Sequence, residues 1–343
     1  DAQESRGLGD VYKRQTMLHR VLKRGAALLS VGAACLLAQA SHAQEYPSRP
    51  IRLVVPSAAG GSPDTVMRLV AQEAGKRLGQ TLVVENKPGS SGIAGMLDVY
   101  RAAPDGYTLG YANNVTLAIN RSTFSQLPYD PQKLTPVIFV LKVANVLAVN
   151  PDMPVKTLPE FVEYVRQHPD KVTFASPGQG TSGHLTGEML AQASKLRMIH
   201  VPYRGSPAAT TDVIGGQVDA IFDNTISITP YIRSGKLRAL ASTGLARSPQ
   251  FPDLPTVAEG ALPGFEGVAW GGIVAPPGTP AAIVDRLNRC FNEVLADPAV
   301  RDRLVALGND EIVGGAPQAL ADYAEKETVK WAAVVRAANL PVQ

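Results

Sequence analysis

Twice in this 343-residue chain a short apolar strand runs into a glycine-rich turn that opens a helix. The first reads Ile51-Arg52-Leu53-Val54-Val55-Pro56, then Ser57-Ala58-Ala59-Gly60-Gly61-Ser62-Pro63, with a helix from Asp64. The second reads Val172-Thr173-Phe174-Ala175, then Ser176-Pro177-Gly178-Gln179-Gly180-Thr181-Ser182-Gly183, with a helix from His184. Glycine lets backbone N–H groups approach a ligand, and the free amides of a helix's first turn carry partial positive charge. Each turn is a candidate anion cradle that needs no lysine or arginine. Two cradles more than a hundred residues apart suggest one ligand gripped from two sides.

Residues 17–43 have the layout of a bacterial secretory leader. His19, Arg20, Lys23 and Arg24 form a basic start, residues 25–38 are apolar, and Ser41-His42-Ala43 offers small residues before Gln44. Fourteen apolar residues fall short of the roughly 20 that a membrane-spanning helix needs. Residues 1–16 carry Asp1, Glu4 and Asp10, with which a leader does not normally begin, and read as an artefactual upstream extension. Cys35 hints at a lipoprotein, but Gly32 stands where a bulky aliphatic residue normally precedes the two alanines.

Of the 33 basic and 30 acidic side chains, six and three fall within residues 1–43, leaving 27 of each in the body. A formally neutral body without a basic block gives no support for nucleic-acid or anionic-membrane binding. The body retains one cysteine, Cys290, so it can form no internal disulfide. Cys290 lies on the stripe Ile283, Leu287, Cys290, Val294, which is the helical spacing of a core residue.

Strands and helices alternate throughout, which predicts parallel sheets with helices on both faces. A helix is expected over 64–78, with Gly79 as its stop, and strands over 81–85 and 107–111, the latter ending at Asn113-Asn114. The apolar run 137–149 is too long for one ordinary strand and suggests a strand crossing between two lobes, with 269–275 as the returning strand. Thr157 and Glu160 are spaced as a capping box. The expected division is lobe one at 44–145 plus 270–343 and lobe two at 146–269.

Enzyme chemistry finds little to build on. Gly178-Gln179-Gly180-Thr181-Ser182-Gly183 matches the dinucleotide fingerprint, but no carboxylate follows the next strand to hold a ribose. Neither turn has a P-loop lysine, and no G-x-S-x-G elbow occurs. The body's histidines, His168, His184 and His200, lack metal-ligand spacing. No cofactor is expected.

An ordered series of motifs then stands out: Val54-Val55-Pro56…Gly60-Gly61…Asp64, Asn86-Lys87-Pro88-Gly89, Ala103-Pro104-Asp105-Gly106-Tyr107 and Leu127-Pro128-Tyr129-Asp130. It continues with Ser176-Pro177-Gly178…His184-Leu185, Val201-Pro202-Tyr203-Arg204-Gly205 and Gly215-Gly216-Gln217-Val218-Asp219…Phe222-Asp223. Across essentially its whole body the chain resembles the Bug-type solute receptors of tripartite tricarboxylate transporters. The resemblance implies a two-lobed α/β periplasmic binding protein, type II-like, with two mainly parallel sheets and two crossover strands. It implies a monomer in the periplasm that closes on a small carboxylate and delivers it to membrane permease subunits. An exported enzyme on a similar scaffold and a receptor feeding a sensor protein are the alternatives.

The ligand-binding set expected from the two turns and their neighbours is Ser57, Ala58, Ala59, Gly60, Gly61 and Asp64 with Asn113 and Asn114 in lobe one. In lobe two it is Gly180, Thr181, Ser182 and His184 with Tyr203, Arg204 and Asp223. Ser57 and Arg204 depart from the family's pattern, which usually has an aromatic and often a lysine there; Arg204 offers a planar fork suited to a second carboxylate. Asp64 also reads as a helix cap and Asp223 as a loop-closing residue or a partner for a ligand amine.

Overall fold

The structure is a computed structural model and describes residues 46–340 and 342. The extension expected at 1–16 and the leader expected at 17–43 lie outside the described residues. From Arg49 onward the chain forms one compact unit. Its first part runs β1 (Ile51–Val55), α1 (Ser62–Leu78), β2 (Leu82–Asn86), α2 (Ile93–Arg101) and β3 (Thr108–Asn113). One turn of π-helix at Val115–Ile119 and the short α3 (Asn120–Thr123) lead to β4 (Thr135–Val149). Then follow α4 (Leu158–Gln167), β5 (Thr173–Ser176), α5 (Ser182–Ala193), β6 (Ile199–Pro202), α6 (Ser206–Ile214), β7 (Ala220–Asn224), α7 (Thr225–Arg233) and β8 (Arg238–Ser242). The chain ends with α8 (Val257–Gly260), β9 (Val268–Ala275), α9 (Ala281–Ala296), α10 (Pro298–Ala306), β10 (Glu311–Ile312) and α11 (Gln318–Ala337).

Helix α1 shows how these residues make these elements. Val66, Leu69, Val70, Ala74 and Leu78 recur at helical spacing and are all buried. Asp64 in its first turn and Lys76 and Arg77 in its last complement the helix dipole, and Gly79 at φ 69° ends it. Thr157 caps α4 by accepting from the Glu160 amide, but the Glu160 carboxylate takes the amide of Lys156 instead of Thr157. The complete capping box lies at Thr256 and Glu259.

Two sheets share strand β4. Its first part, from Thr135 to Ala144, pairs antiparallel with β9 and, at Leu141 and Lys142, with β10. On the far side of β9 the order continues through β3 and β1 to β2. Its last part, from Asn145 or Val146 to Val149, pairs with β7 on one edge and β8 on the other, and β7 continues to β5 and β6. The fold is therefore the expected two-lobed α/β arrangement, with two refinements. Parallel pairing between strands is confined to the βαβ halves, β2-β1-β3 and β7-β5-β6, because β9 runs against β3 and β4 against β7. Of the two crossover strands expected, only β4 serves both sheets. β9 pairs with β3 and β4 inside the first sheet, so the return crossing falls in residues 243–267.

The first lobe's core gathers around Trp270 and Trp331, both fully buried. Their indole N–H groups both donate to Glu327 Oε2, at 3.1 and 2.9 Å, and Lys330 holds the other oxygen, so the buried carboxylate is paired. Leu185 of α5 enters this same core, so the helix that follows the second glycine turn packs against both lobes.

Helix α5 approaches the second sheet through glycines. A Cβ on Gly183 would lie 2.2 Å from the Phe222 carbonyl oxygen, and one on Gly187 2.4 Å from the Phe174 ring. Gly183→Ala therefore forces the helix start away from β7. It should lower unfolding stability by about 1–3 kcal/mol, the usual range for overpacking, as measured by urea denaturation. A variant of unchanged stability would mean that α5 does not sit this close to β7.

Candidate functional site

Both glycine turns leave the carboxyl end of a strand, where ligands bind in open α/β sheets. They are also the same backbone motif. Gly60 and Gly180 take the left-handed conformation at φ 78° and 74°. The next residues, Gly61 and Thr181, are the N-caps of α1 and α5, with φ,ψ of −77°,169° and −72°,164°. The Gly61 N–H donates to the Ala58 carbonyl at 3.4 Å, and that of Thr181 to the Gly178 carbonyl at 3.2 Å. Four residues on, one side chain braces each glycine: the Gly60 N–H donates to Asp64 Oδ2 at 2.8 Å, and the Gly180 N–H to His184 Nδ1 at 3.0 Å.

The braces tie Asp64 and His184 to the two turns while both side chains stay buried. Asp64 is 4% exposed, and Arg68 Nη2 lies 2.9 Å from its second oxygen. Burial alone would raise its pKa. The Arg68 guanidinium and the Gly60 amide outweigh that and hold the carboxylate below its usual range. His184 is 2% exposed; because Nδ1 accepts from Gly180, the neutral ring carries its proton on Nε2. Its ring stacks on His200 at 3.8 Å, and His200 Nε2 meets Ser176 Oγ at 2.7 Å. Both imidazoles are thus turned into the loop's own scaffold.

The hydroxyls of the second turn are occupied as well. Thr181 Oγ1 donates to the Gly178 carbonyl at 2.7 Å and accepts from the His184 amide, so it caps α5. Ser182 Oγ donates to Asn145 Oδ1 at 3.4 Å. Among the described residues no acceptor takes the N–H of Ala58, Ala59 or Ser62 in the first turn, or of Gln179, Ser182 or Gly183 in the second. The cradles are thus built of free amides held in place by side chains.

Around each cradle the neighbouring strand ends close in. In lobe one Asn86 Nδ2 donates to the Ser57 carbonyl at 3.2 Å, and Gly92 and Gly95 pack on Pro56 so tightly that a Cβ would lie 3.2 and 2.9 Å away. Asn113 Oδ1 accepts the amides of Val115 and Thr116 and so starts the π turn. Asn114 is 2% exposed, and neither its Nδ2 nor the buried Ser57 Oγ finds a partner among the described residues. In lobe two Gly205 donates to the Pro177 carbonyl, which places the loop after β6 beside the cradle. Tyr203 on that loop packs on an apolar core of the second lobe and donates to Asp212 at 2.7 Å, whereas Arg204 is exposed. Asp223 is the next-to-last residue of β7; one oxygen accepts the Asn224 amide at 2.7 Å, and burial pushes its pKa up to about 7. The two walls face each other where Gly180 comes to 4.0 Å from Ile119 of the π turn, measured from a Cβ placed on the glycine.

Sequence reasoning missed Asn145, which touches Ser182, Thr186, Asn224 and Gly267. One signal was available: a lone amide in the apolar run 137–149 must satisfy its hydrogen bonds somewhere specific.

The stacked histidines make stability depend on pH. Burial pushes the pKa of His184 down to about 4, and burial with the neighbouring His184 pushes that of His200 down to about 3. Below its ordinary value of about 6.5 the unfolded chain takes up these protons and the folded chain does not. The stabilisation is present above pH 6.5 and is lost as pH falls toward the folded values. Melting temperature should therefore drop steeply from pH 6.5 to pH 4, and His200→Phe, which keeps the stack, should flatten the slope. An equally steep slope in that variant would place the acid sensitivity elsewhere.

Residues 66–340 match the tripartite tricarboxylate transporter family receptor. Protein BugT of Bordetella pertussis is 36% identical over 296 residues, covering 86% of this chain and 90% of BugT. Among solved structures, R. palustris Rpa4515 with adipate has a TM-score of 0.83 at 32% identity, covering 87% of this chain and 99% of that one. MatC from Rhodopseudomonas palustris with bound malate has a TM-score of 0.77 at 36% identity, covering 84% and 100%. The matched stretch takes in nearly all of both lobes, and this chain belongs to the Bug-type solute-binding receptors of the tripartite tricarboxylate transporter family.

Proposed function

We propose that this receptor captures a small dicarboxylate between its two lobes in the extracytoplasmic space and hands it to the membrane permease subunits of a tripartite tricarboxylate transporter. The observation that carries the reading is the pair of equivalent glycine turns, whose uncommitted amides suit carboxylate oxygens in both lobes. Charge-assisted hydrogen bonds contribute roughly 1.5–3 kcal/mol each, and micromolar affinity needs about 8 kcal/mol net, so a few per carboxylate suffice. Adipate in Rpa4515 and malate in MatC are the carboxylates of two relatives and the first probes for this chain.

In this reading Ala58, Ala59, Ser182 and Gly183 offer amides, and Gly60 and Gly180 supply the curvature that lets a ligand reach them. Asp64, Thr181 and His184 keep the turns in shape. Arg204, exposed beside the second cradle, is free to reach a second carboxylate. Lobe one is 44–145 with 270–343 and lobe two 146–269, and a ligand touching both favours their approach, since only a difference in affinity between states drives closure. Export uses residues 17–43 as a leader cleaved between Ala43 and Gln44.

Two experiments test the reading. In a calorimetric screen of carboxylates and neutral sugars against the exported protein, adipate, malate or a related diacid should bind. Gly180→Val, which places a branched side chain at φ 74° against Ile119, should weaken that binding at least about tenfold. A preference for a neutral sugar over every carboxylate, or full affinity in the variant, removes the cradle reading. N-terminal sequencing after export should begin at Gln44; a chain retained in the membrane through Cys35 would replace the cleaved leader with a lipid anchor.

A further inference from the structure

Strand β4 passes from one sheet to the other at Ala144 and Asn145. The backbone of Ala144 and Asn145 is held there by groups from three other segments. The Ala144 N–H donates to Asp310 Oδ2 at 2.5 Å, and its carbonyl accepts from Thr225 Oγ1 at 2.9 Å. The Asn145 N–H donates to Thr243 Oγ1, and its carbonyl accepts from the Thr243 N–H, both at 2.9 Å. Thr243 Oγ1 also donates to the Gly267 carbonyl at 2.7 Å, and the Gly267 N–H donates back to the Thr243 carbonyl. Thr243 and Gly267 bound the return crossing, so both connections between the lobes are laced together here.

The side chain of Asn145 sits inside this lacing and is fully buried. Its Nδ2 donates to the Gly267 carbonyl at 2.8 Å and reaches Thr186 Oγ1 at 3.3 Å. Its Oδ1 accepts from Asn224 Nδ2 at 2.9 Å and from Ser182 Oγ at 3.4 Å. A Cβ on Gly267 would lie 2.5 Å from Thr186 Oγ1, so nothing larger than glycine fits beside α5. One amide therefore contacts the outgoing crossing, the returning crossing, the first turn of the cradle helix and the end of β7. All four of its hydrogen-bonding positions are used.

We propose that Asn145 is the positioning residue of the hinge: it locks helix α5, and with it the second cradle, to both crossings, so that the angle between the lobes and the orientation of the cradle change as one. This rests on the Gly178–Ser182 turn being the ligand cradle. A purely structural amide would contribute stability wherever it stood. An amide placed at the shared point of both crossings also restricts the paths along which the lobes can move.

The test uses spin labels on cysteines placed at Gln72 in lobe one and Lys171 in lobe two, both exposed, in a Cys290→Ala background. Asn145→Asp keeps the shape and the accepted bonds but sets a carboxylate oxygen against the Gly267 carbonyl; Thr243→Val releases the same crossing from outside the cradle. In ligand-free protein the pulsed-EPR distance distribution between the labels should be at least about twice as wide in both variants. The diacid that binds the unaltered receptor should bind Asn145→Asp about tenfold more weakly. Wild-type width in Asn145→Asp, with only a lowered melting temperature, would reduce the residue to a structural amide and overturn the proposal. If neither adipate nor malate binds even the unaltered protein, the carboxylate reading falls while the ligand-free widths still decide the role of Asn145.

Discussion

Two peptide groups, those of Ala144 and Asn145, stand where one strand has to belong to two sheets. A strand leaving a ladder exposes donors and acceptors that burial makes costly unless other groups take them. Here Asp310 arrives from the chain's last third, Thr225 from the first residue of α7 and Thr243 from the return crossing to take them. Asp310 has its pKa raised, chiefly by burial, and Gly308 just before it lies so close to Thr225 and Ile226 that a Cβ would come within 3.0 Å of the Ile226 backbone. The two lobes are thus joined by a polar knot of matched partners, and of the apolar cores on either side the first is shared with α5 through Leu185.

From that knot the site follows outward. Ser182 and Thr186 reach Asn145 from the first turns of α5, and α5 begins at the second cradle. Among the described residues the first cradle has no such tie; it is held by Asp64 and Arg68 and by the Asn86 amide within its own lobe. Lobe two's cradle is therefore coupled to the hinge, whereas lobe one's is a local structure. The same backbone motif has been braced by a carboxylate in one lobe and by a neutral imidazole in the other. In both cases the brace consumes the glycine amide and leaves free the amides of Ala59 and Ser62 in one turn and of Gln179 and Ser182 in the other.

A cleft made this way carries little fixed charge of its own. The charges around the first cradle are engaged, Arg68 with Asp64 and Asn86, and Arg52 and Lys87 with Glu85 and Asp98; beside the second, Arg204 stands exposed. Backbone amides have no rotamer entropy to lose and need no counter-ion when the ligand leaves. That suits a receptor which has to release what it binds, since an unpaired buried charge left behind would be costly.

The amino-acid sequence alone determined the alternation of strands and helices, both glycine turns, the length that marks β4 as a crossing strand and the family. Each of these is carried by local spacing, by special backbone geometry at glycine or by an ordered series of motifs. Tertiary structure alone decided the rest. The capping box at Thr157 and Glu160 opened because the glutamate found the Lys156 amide instead, although the spacing was right. β9 stayed within one sheet because its partners are β3 and β4, a pairing that no local pattern encodes. Thr181 and His184, with the chemistry of ligand groups, became a cap and a brace, since which way a side chain turns depends on what packs behind it. Asn145 was visible only as one polar residue in an apolar run. Its partners lie 37 to 122 residues away in the chain and meet only when both crossings fold over one another.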